Sequence, residues 1–269
     1  MNDYYKNKVC LVTGASTGIG HEMARYLLEK GAIVYACNRN PERNEEMKQS
    51  LGKFAAEYGA DCHYDIVNVK NEEEVKNWIE KAYAEQGRID ILVNNGGVGS
   101  DGKTPEIELY KWKAVLDTNL WGVIYGVHYV LPIMVKQGSG HIINVSSVAG
   151  IMPVPYQCVY VTSKYAVTGM SESLRYEMKP YGIDVSVICP TNVVSAVFSK
   201  GGLAVPKDAV PTDYAVAYYM DKIALGRTGI IPTAEKAEEN YKAYRFDPEK
   251  GEEMMMEMSL RRKAGQFHA

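Results

Sequence analysis

The sequence has no closely paired cysteines. Its five, Cys10, Cys37, Cys62, Cys158 and Cys189, are scattered without a CxxC, which removes the redox and zinc readings that such a pair would carry. Cys10, Cys37 and Cys189 lie inside apolar runs and read as reduced, buried thiols. Charge of one sign is not in excess either: 30 Lys+Arg against 33 Asp+Glu leave a net −3. That balance offers no basic footprint for nucleic acid and no polybasic membrane patch. No run reaches the roughly 18 apolar residues of a membrane span, and the N-terminus has no signal-peptide core, so the expectation is a cytoplasmic protein. The five histidines, His21, His63, His128, His141 and His268, form no ligand-spaced cluster, and no metal site is expected. A GxSxG elbow is missing, which excludes a serine hydrolase of that type. Internal repeats, low-complexity segments and linkers are also lacking.

What is present is rhythm. Short apolar runs at Lys8–Thr13, Ala32–Cys37, Cys62–Ile66, Ile89–Val93, His141–Ser146 and Ile183–Cys189 read as strands. Between them, Gly18–Lys30, Pro41–Tyr58, Asn71–Glu85, Ile107–Lys136 (interrupted by Pro132) and Tyr156–Met178 carry helical spacing. The Ile89–Val93 run is apolar enough to need cover on both faces, as in a parallel sheet. The alternation predicts an α/β fold, a doubly wound parallel sheet with right-handed crossovers and helices on both faces. Ligands of such sheets lie beyond the carboxyl ends of the strands. Although 269 residues exceed the roughly 150 of an average domain, α/β folds of this length form single units, so residues 1–269 are expected to form one domain. Residues 191–212, with Gly201, Gly202, Pro206 and Pro211, read as a substrate lid. A helix Asp213–Leu225, a short run Gly229–Pro232 and a charged, Met-rich extension over 234–269 follow, and Glu252–Leu260 reads as an amphipathic helix whose Met stripe serves packing or a subunit contact.

The first strand runs into Thr13-Gly14-Ala15-Ser16-Thr17-Gly18-Ile19-Gly20 and opens the first helix. Glycines there permit a tight turn and close backbone approach to a pyrophosphate at the helix N-terminus. The TGxxxGxG spacing, Asn94-Asn95-Gly96-Gly97 after the fourth strand, and the set Asn119, Ser147, Tyr160 and Lys164 resemble the short-chain dehydrogenase/reductase family over about residues 6–198. The resemblance implies a Rossmann-like domain that binds a nicotinamide cofactor. It places Gly14, Ser16, Thr17, Gly18, Ile19, Gly20, Asn38, Arg39, Asn95, Tyr160, Lys164 and Val193 at the cofactor, with Asp65-Ile66 holding the adenine.

YxxxK alone means little here, since twenty tyrosines generate it at Tyr4/Lys8, Tyr26/Lys30, Tyr160/Lys164 and Tyr218/Lys222. Context selects Tyr160: Ser147 lies thirteen residues upstream at a strand end, and the i,i+4 spacing puts Tyr160 and Lys164 on one helix face. A phenol ordinarily titrates near 10, and a nearby ammonium lowers that value. Tyr160 is therefore expected to exchange a proton with a substrate carbonyl or alcohol oxygen, and Ser147 to hold that oxygen. By resemblance, Lys164 also bonds the nicotinamide ribose, and Asn119 positions a water behind it. The adjacent Ser146 reads as a strand-end hydrogen-bonding residue, His128 and His141 as structural.

The second strand ends Tyr35-Ala36-Cys37-Asn38-Arg39-Asn40, with no acid to repel a 2′-phosphate and an arginine able to pair one. NADP (NADPH) is favoured over NAD, with Arg43 as a further candidate and Thr17 as a contrary sign. Two departures from the family stand out: Gly96 where alanine is usual, and Pro190-Thr191 where Pro-Gly is usual. Val98–Asp101, Val148–Tyr156 (Ile151, Met152, Pro153, Val154 and Pro155 between them) and Val193, Val194, Val197, Phe198 and Leu203 are mostly apolar and are expected to wall a hydrophobic secondary alcohol or ketone. A hydroxysteroid or bile acid heads the candidates. A 3-oxoacyl or small carbonyl reductase is the alternative enzyme, and a nucleotide-sensing pseudoenzyme the non-enzyme. Helices 107–136 and 156–178 are expected, by resemblance, to make a homodimer or homotetramer.

Overall fold

β-branched runs bounded by glycine turns become the strands of one sheet, and the amphipathic runs between them pack on its two faces. The computed structural model describes residues 3–194 and 209–264. Among them are β1 (Val9–Thr13), β2 (Ile33–Asn38), β3 (Cys62–Ile66), β4 (Ile91–Asn94), β5 (Gly140–Val145), β6 (Ile183–Cys189) and β7 (Gly229–Pro232). All are parallel, in the order β3-β2-β1-β4-β5-β6-β7. The order reverses between β1 and β4, the place where a doubly wound sheet opens a crevice at its carboxyl edge.

Side chains alternate across the sheet with period two. Cys10, Val12, Val34, Ala36, Ile91 and Val93 join one cluster with α1 (Gly18–Glu29), α2 (Pro41–Tyr58) and α7 (Thr212–Ala224). Val9, Leu11, Tyr35, Cys37 and Leu92 join the other with α3 (Glu72–Gln86), α5 (Gly122–Gln137) and α6 (Cys158–Met178). Every residue of β1 and β4 is buried, as two-sided cover requires. Asn71 caps α3, accepting from Glu73 N and Glu74 N.

The expected helix over 107–136 is built differently. It starts as α4 (Leu109–Leu116), passes through a π turn at Asp117–Trp121, and continues as α5. Pro132 does not end α5; it is exposed, so water can satisfy the carbonyl that a missing N–H leaves free. The helical run Leu109–Gln137 is also long and apolar enough to cross a membrane by length and composition, contrary to the reading from the sequence. In this fold 44% of its apolar window is buried, because Val123, Val127, Val130 and Met134 pack on the sheet.

The C-terminal segment forms two helices where one was expected, α8 (Ala234–Phe246) and α9 (Pro248–Lys263). Asp247 divides them by accepting from Lys250 N at 3.1 Å, an N-cap followed by Pro248. A Cβ on Gly251 would lie 3.0 Å from the Tyr244 carbonyl, so the helices meet closely there.

Candidate active site

Residues at and beyond the carboxyl ends of β1 to β6, with α8 and α9, line one cleft of about 1100 Å3, more than the roughly 300–1000 Å3 of a single small-molecule pocket. At one end is the glycine turn. Gly14 has φ 66° and Gly18 φ 60°, and a Cβ on Gly14 would lie 2.8 Å from the Gly96 Cα. Ser16, Thr17, Gly18 and Ile19 line the cleft. Thr17 is the N-cap of α1 but makes no side-chain cap bond, leaving the first amides of the helix without a side-chain partner. A bare helix N-terminus behind a glycine turn fits the pyrophosphate of a dinucleotide.

Gly20 and Asn95 work on each other. Gly20 is buried and does not line the cleft; a Cβ there would overlap the Asn95 carboxamide and lie 2.5 Å from the Gly14 carbonyl. Asn95 Nδ2 donates to Thr13 O at 3.0 Å and Gly14 O at 3.1 Å, while Thr13 Oγ1 accepts from Asn95 N and Gly96 N. These bonds tie the end of β4 to the glycine turn, so Gly20 holds the turn's shape from behind.

Beyond β2 the cleft is lined by Asn38, Arg39, Asn40 and Arg43. Asn38 is buried and committed: its Nδ2 donates to Asn44 Oδ1 at 2.9 Å and its Oδ1 accepts from Asn40 N at 2.9 Å. Arg39 and Arg43 are exposed. The resemblance puts Asp65-Ile66 at the adenine. Both residues belong to β3, and neither lines the cleft. Asp65 accepts from Lys81 Nζ of α3 at 2.6 Å, and Ile66 is 53% exposed. The lining residues are Val67, Asn68 and Val69, because the cleft opens past the strand's end and only the residues just after it reach the opening.

The middle of the cleft holds Ser147, Tyr160 and Lys164. Ser147 lies two residues past β5 and caps the short helical turn Val148–Gly150, accepting from Ala149 N at 3.1 Å. Tyr160 and Lys164 lie one turn apart on α6, with Lys164 Nζ 5.6 Å from the phenol ring centroid. Burial pushes the Tyr160 phenol above its ordinary value, and a hydrogen bond with Ser147 draws it back. The lowering influence is thus Ser147, where the sequence pointed to the ammonium. Lys164 is 4% exposed; its Nζ donates to Val145 O at 2.9 Å, and burial lowers its pKa to about 8. Ser146 braces this arrangement, donating to Lys164 O at 3.0 Å and meeting Thr168 Oγ1 at 2.8 Å, the structural part expected of it.

Asn119 is fully buried inside the π turn. Its Oδ1 accepts from Val98 N at 2.8 Å, and its Nδ2 donates to Val98 O at 2.9 Å and Ser163 Oγ at 3.1 Å. The carboxamide is therefore spent on the loop after β4, and does not face the cleft. His141 is also structural: it bonds Tyr4 and Ser186, and burial lowers its pKa to about 3. His128 is exposed.

At the far end Val98, Gly99, Asp101, Val148, Met152, Val154 and Thr191–Val193 line the cleft, but Ile151, Pro153, Pro155 and Tyr156 do not. Ile151 instead packs with Val187 and Cys189 in a core cluster. Val197, Phe198 and Leu203, and most of the expected lid, lie outside the described residues. The sequence reading missed the C-terminal part of the lining. Lys236, Ala237 and Asn240 of α8, and Met254, Glu257, Met258, Arg261 and Arg262 of α9, line the cleft. Their i, i+3, i+4, i+7, i+8 spacing along α9 was the available signal.

A family model described as short chain dehydrogenase matches residues 8–202. An uncharacterized oxidoreductase of Staphylococcus saprophyticus is 37% identical over 204 residues, 74% of this chain and 75% of that protein. The 3-ketodihydrosphingosine reductase of Bacteroides thetaiotaomicron is 38% identical over 183 residues, 68% of this chain and 63% of its own length. The 3-oxoacyl-(acyl-carrier-protein) reductase of Thermotoga maritima is 34% identical over 224 residues, 83% and 85% of the two chains. Among solved structures, a short chain dehydrogenase/reductase from Burkholderia phymatum in complex with NAD superposes with a TM-score of 0.81 at 24% identity, covering 91% of this chain and 95% of that one. An alcohol dehydrogenase from Thermococcus sibiricus complexed with 5-hydroxy-NADP has a TM-score of 0.74 at 24% identity, covering 84% and 96%.

Proposed function

Because the chain belongs to the short-chain dehydrogenase/reductase family and is an NAD(P)-dependent oxidoreductase, we propose that it interconverts a secondary alcohol and a ketone on a hydrophobic substrate, with NADPH preferred. The observation that carries this reading is the convergence of Ser147, Tyr160 and Lys164 on the middle of a cleft whose one end is the glycine turn. When bound, the nicotinamide supplies or takes the hydride.

In reduction, the buried phenol of Tyr160 holds its proton at neutral pH and passes it to the substrate oxygen; in oxidation the same atom takes the proton back. The Ser147 hydroxyl donates to that oxygen as charge develops on it, and its bond to Tyr160 aligns the two groups. Lys164 bonds the nicotinamide ribose and supplies positive charge behind the phenol. Asn119 fixes the Val98 backbone with its carboxamide, so a relay water is met by the peptide groups that the π turn leaves out of the helical ladder, not by its side chain. Gly14, Ser16, Thr17, Gly18 and Ile19 hold the pyrophosphate, Asn95 and Gly20 the shape of the turn, and Asn68 and Val69 the adenine, in place of Asp65 and Ile66. Val193 flanks the nicotinamide. Arg39 and Arg43, both exposed on the cleft rim, favour a 2′-phosphate.

The apolar far end suits a bulky ketone such as an oxo-steroid. The two named relatives act, by their names, on a ketodihydrosphingosine and on 3-oxoacyl chains, and an acyl-chain ketone is the competing substrate. Exposed Leu109 and Tyr110 on α4, Trp121 at the end of the π turn, and Tyr165 and Tyr176 on α6 support a homo-oligomer through these helices. The test follows nicotinamide absorbance with NADPH and NADH against oxo-steroids, aryl ketones and a 3-oxoacyl thioester, for the wild type and Tyr160→Phe. NADPH-dependent turnover that Tyr160→Phe abolishes is the expected result. Near-wild-type turnover by Tyr160→Phe would overturn the mechanism, and equal binding of NADH and NADPH the cofactor preference.

A further inference from the structure

Part of the cleft is lined by a segment that lies beyond the family match. That match stops at residue 202, while α8 and α9 begin at Ala234 and Pro248. One face of α9 is turned inward: Gly251 is buried, Met254 and Met258 are half-buried, and Arg262 has only 11% of its side chain exposed. Met256, on the opposite face, is 56% exposed and does not line the cleft. Met254, Met258 and Arg262 are four residues apart, so they form one stripe along the helix.

Arg262 fastens that stripe to the rest of the site. Its Nη1 lies 3.3 Å from Asp101 Oδ1 in the loop after β4, and donates to Pro155 O, in the loop after β5, at 3.4 Å. Gln157 Nε2 donates to the same Asp101 oxygen at 2.6 Å, and Gly102 N donates to Tyr156 O at 2.8 Å. Tyr156 itself is held at φ 65°, the left-handed region that a non-glycine residue occupies only when its surroundings impose it. Three chain segments are thus knotted at Asp101, and the two inward methionines line the same cleft as Asp101 and Ser147. Methionine is unbranched and polarizable, and fills irregular apolar space without demanding one shape.

We infer that Met254, Met258 and Arg262 form the specificity-determining wall of the active site, selecting bulky apolar ketones and alcohols over small ones, with Arg262 as the pin that keeps the wall in place. Met254 and Met258 supply the apolar surface along which a ring system or long chain lies. Arg262 acts through α9 and is a positioning residue. The inference rests on the oxidoreductase reading above for its substrate chemistry but not for its geometry, and the experiment separates the two.

Arg262→Ala, Arg262→Lys, Met254→Ala, Met258→Ala and the off-face control Met256→Ala are assayed with NADPH on a four-ring oxo-steroid and a one-ring aryl ketone. Hydrogen exchange of α9 is measured on the same free proteins. Arg262→Ala is expected to lower the ratio of kcat/KM, steroid over aryl ketone, about tenfold, mainly through KM, which marks lost uniform binding. Arg262→Lys restores part of the ratio, Met254→Ala and Met258→Ala each lower it several-fold, and Met256→Ala leaves it within twofold. The α9 amides of Arg262→Ala exchange at least tenfold faster than those of the wild type. A ratio unmoved by both inward methionine variants overturns the wall, and unchanged α9 exchange in Arg262→Ala overturns the pin. If the wild type turns over neither ketone, the substrate assignment under the proposed function fails, and the exchange result alone decides whether Arg262 fastens α9.

Discussion

Lys164→Met is expected to abolish turnover and, at the same time, to stabilise the cofactor-free protein near neutral pH. The Lys164 ammonium sits 4% exposed, and burial lowers its pKa from 10.5 to about 8. The unfolded chain therefore keeps that proton to higher pH than the folded chain does. Below pH 8 both states carry it, and the folded state bears the full penalty of a buried charge, about 3 kcal/mol at 1.36 kcal/mol per pH unit. Between pH 8 and 10.5 the unfolded state binds more protons, so this group's contribution to stability rises with pH until the penalty is gone. Methionine removes the penalty and also the bond to Val145 O at 2.9 Å, whose loss costs about 1 kcal/mol. The variant is then more stable by about 2 kcal/mol at pH 7, and its advantage fades toward zero near pH 10. Buried thiols such as Cys10, Cys37 and Cys189, pushed upward by burial, act with the opposite sign in alkaline solution. Cys10 and Cys37 are common to both proteins and cancel, so the difference between the two curves reports Lys164 together with the Cys189 thiol, which the ammonium draws down. The assay is urea unfolding of both proteins at pH 7, 8, 9 and 10. Parallel curves, or a variant less stable at pH 7, would refute the picture of a charge held in the fold at a loss for the sake of chemistry.

Two further perturbations address the cofactor end. The double variant Arg39→Ala/Arg43→Ala is expected to raise the NADPH Kd roughly 10- to 100-fold, the range of about 1.5–3 kcal/mol for a lost charge-assisted bond, while NADH binding, measured by fluorescence titration, moves less than twofold; equal losses for both cofactors would remove the arginines from the 2′-phosphate. Gly20→Ala forces a Cβ onto the Asn95 carboxamide and toward the Gly14 carbonyl, and is expected to cost about 1–3 kcal/mol in urea unfolding and to weaken both cofactors together. A variant with wild-type stability and binding would show that the turn does not depend on that contact.

Much of this was legible in order and little of it in depth. Strand positions follow from apolar runs between glycines, because two-sided burial leaves no room for polar residues in β1 or β4. The helix face carrying Tyr160 and Lys164 follows from i,i+4 spacing alone. The π turn at Asp117–Trp121 was not legible, since one extra residue in a helix leaves the apolar pattern nearly unchanged. Asp65 was assigned to the adenine by resemblance; its pairing with Lys81, sixteen residues later on α3, depends on tertiary packing and was not legible. The inward face of α9 was missed for a related reason. The methionine stripe of Met254–Met258 was legible but not what it faces, since Arg262 meets Asp101 across 161 positions.

That separation along the chain has a consequence for how the protein can change. The residues proposed for hydride and proton transfer all precede residue 194, whereas the inward methionines come after Thr233, a fully buried residue whose amide bonds Cys189 O and whose Oγ1 accepts from Thr191 N. Thr233 is a natural splice point. Insertions, exchanges or recombination downstream of it can remodel what the cleft accepts while the proton-handling groups keep their places, so descendants of this chain can acquire new substrates by altering one terminal helical pair.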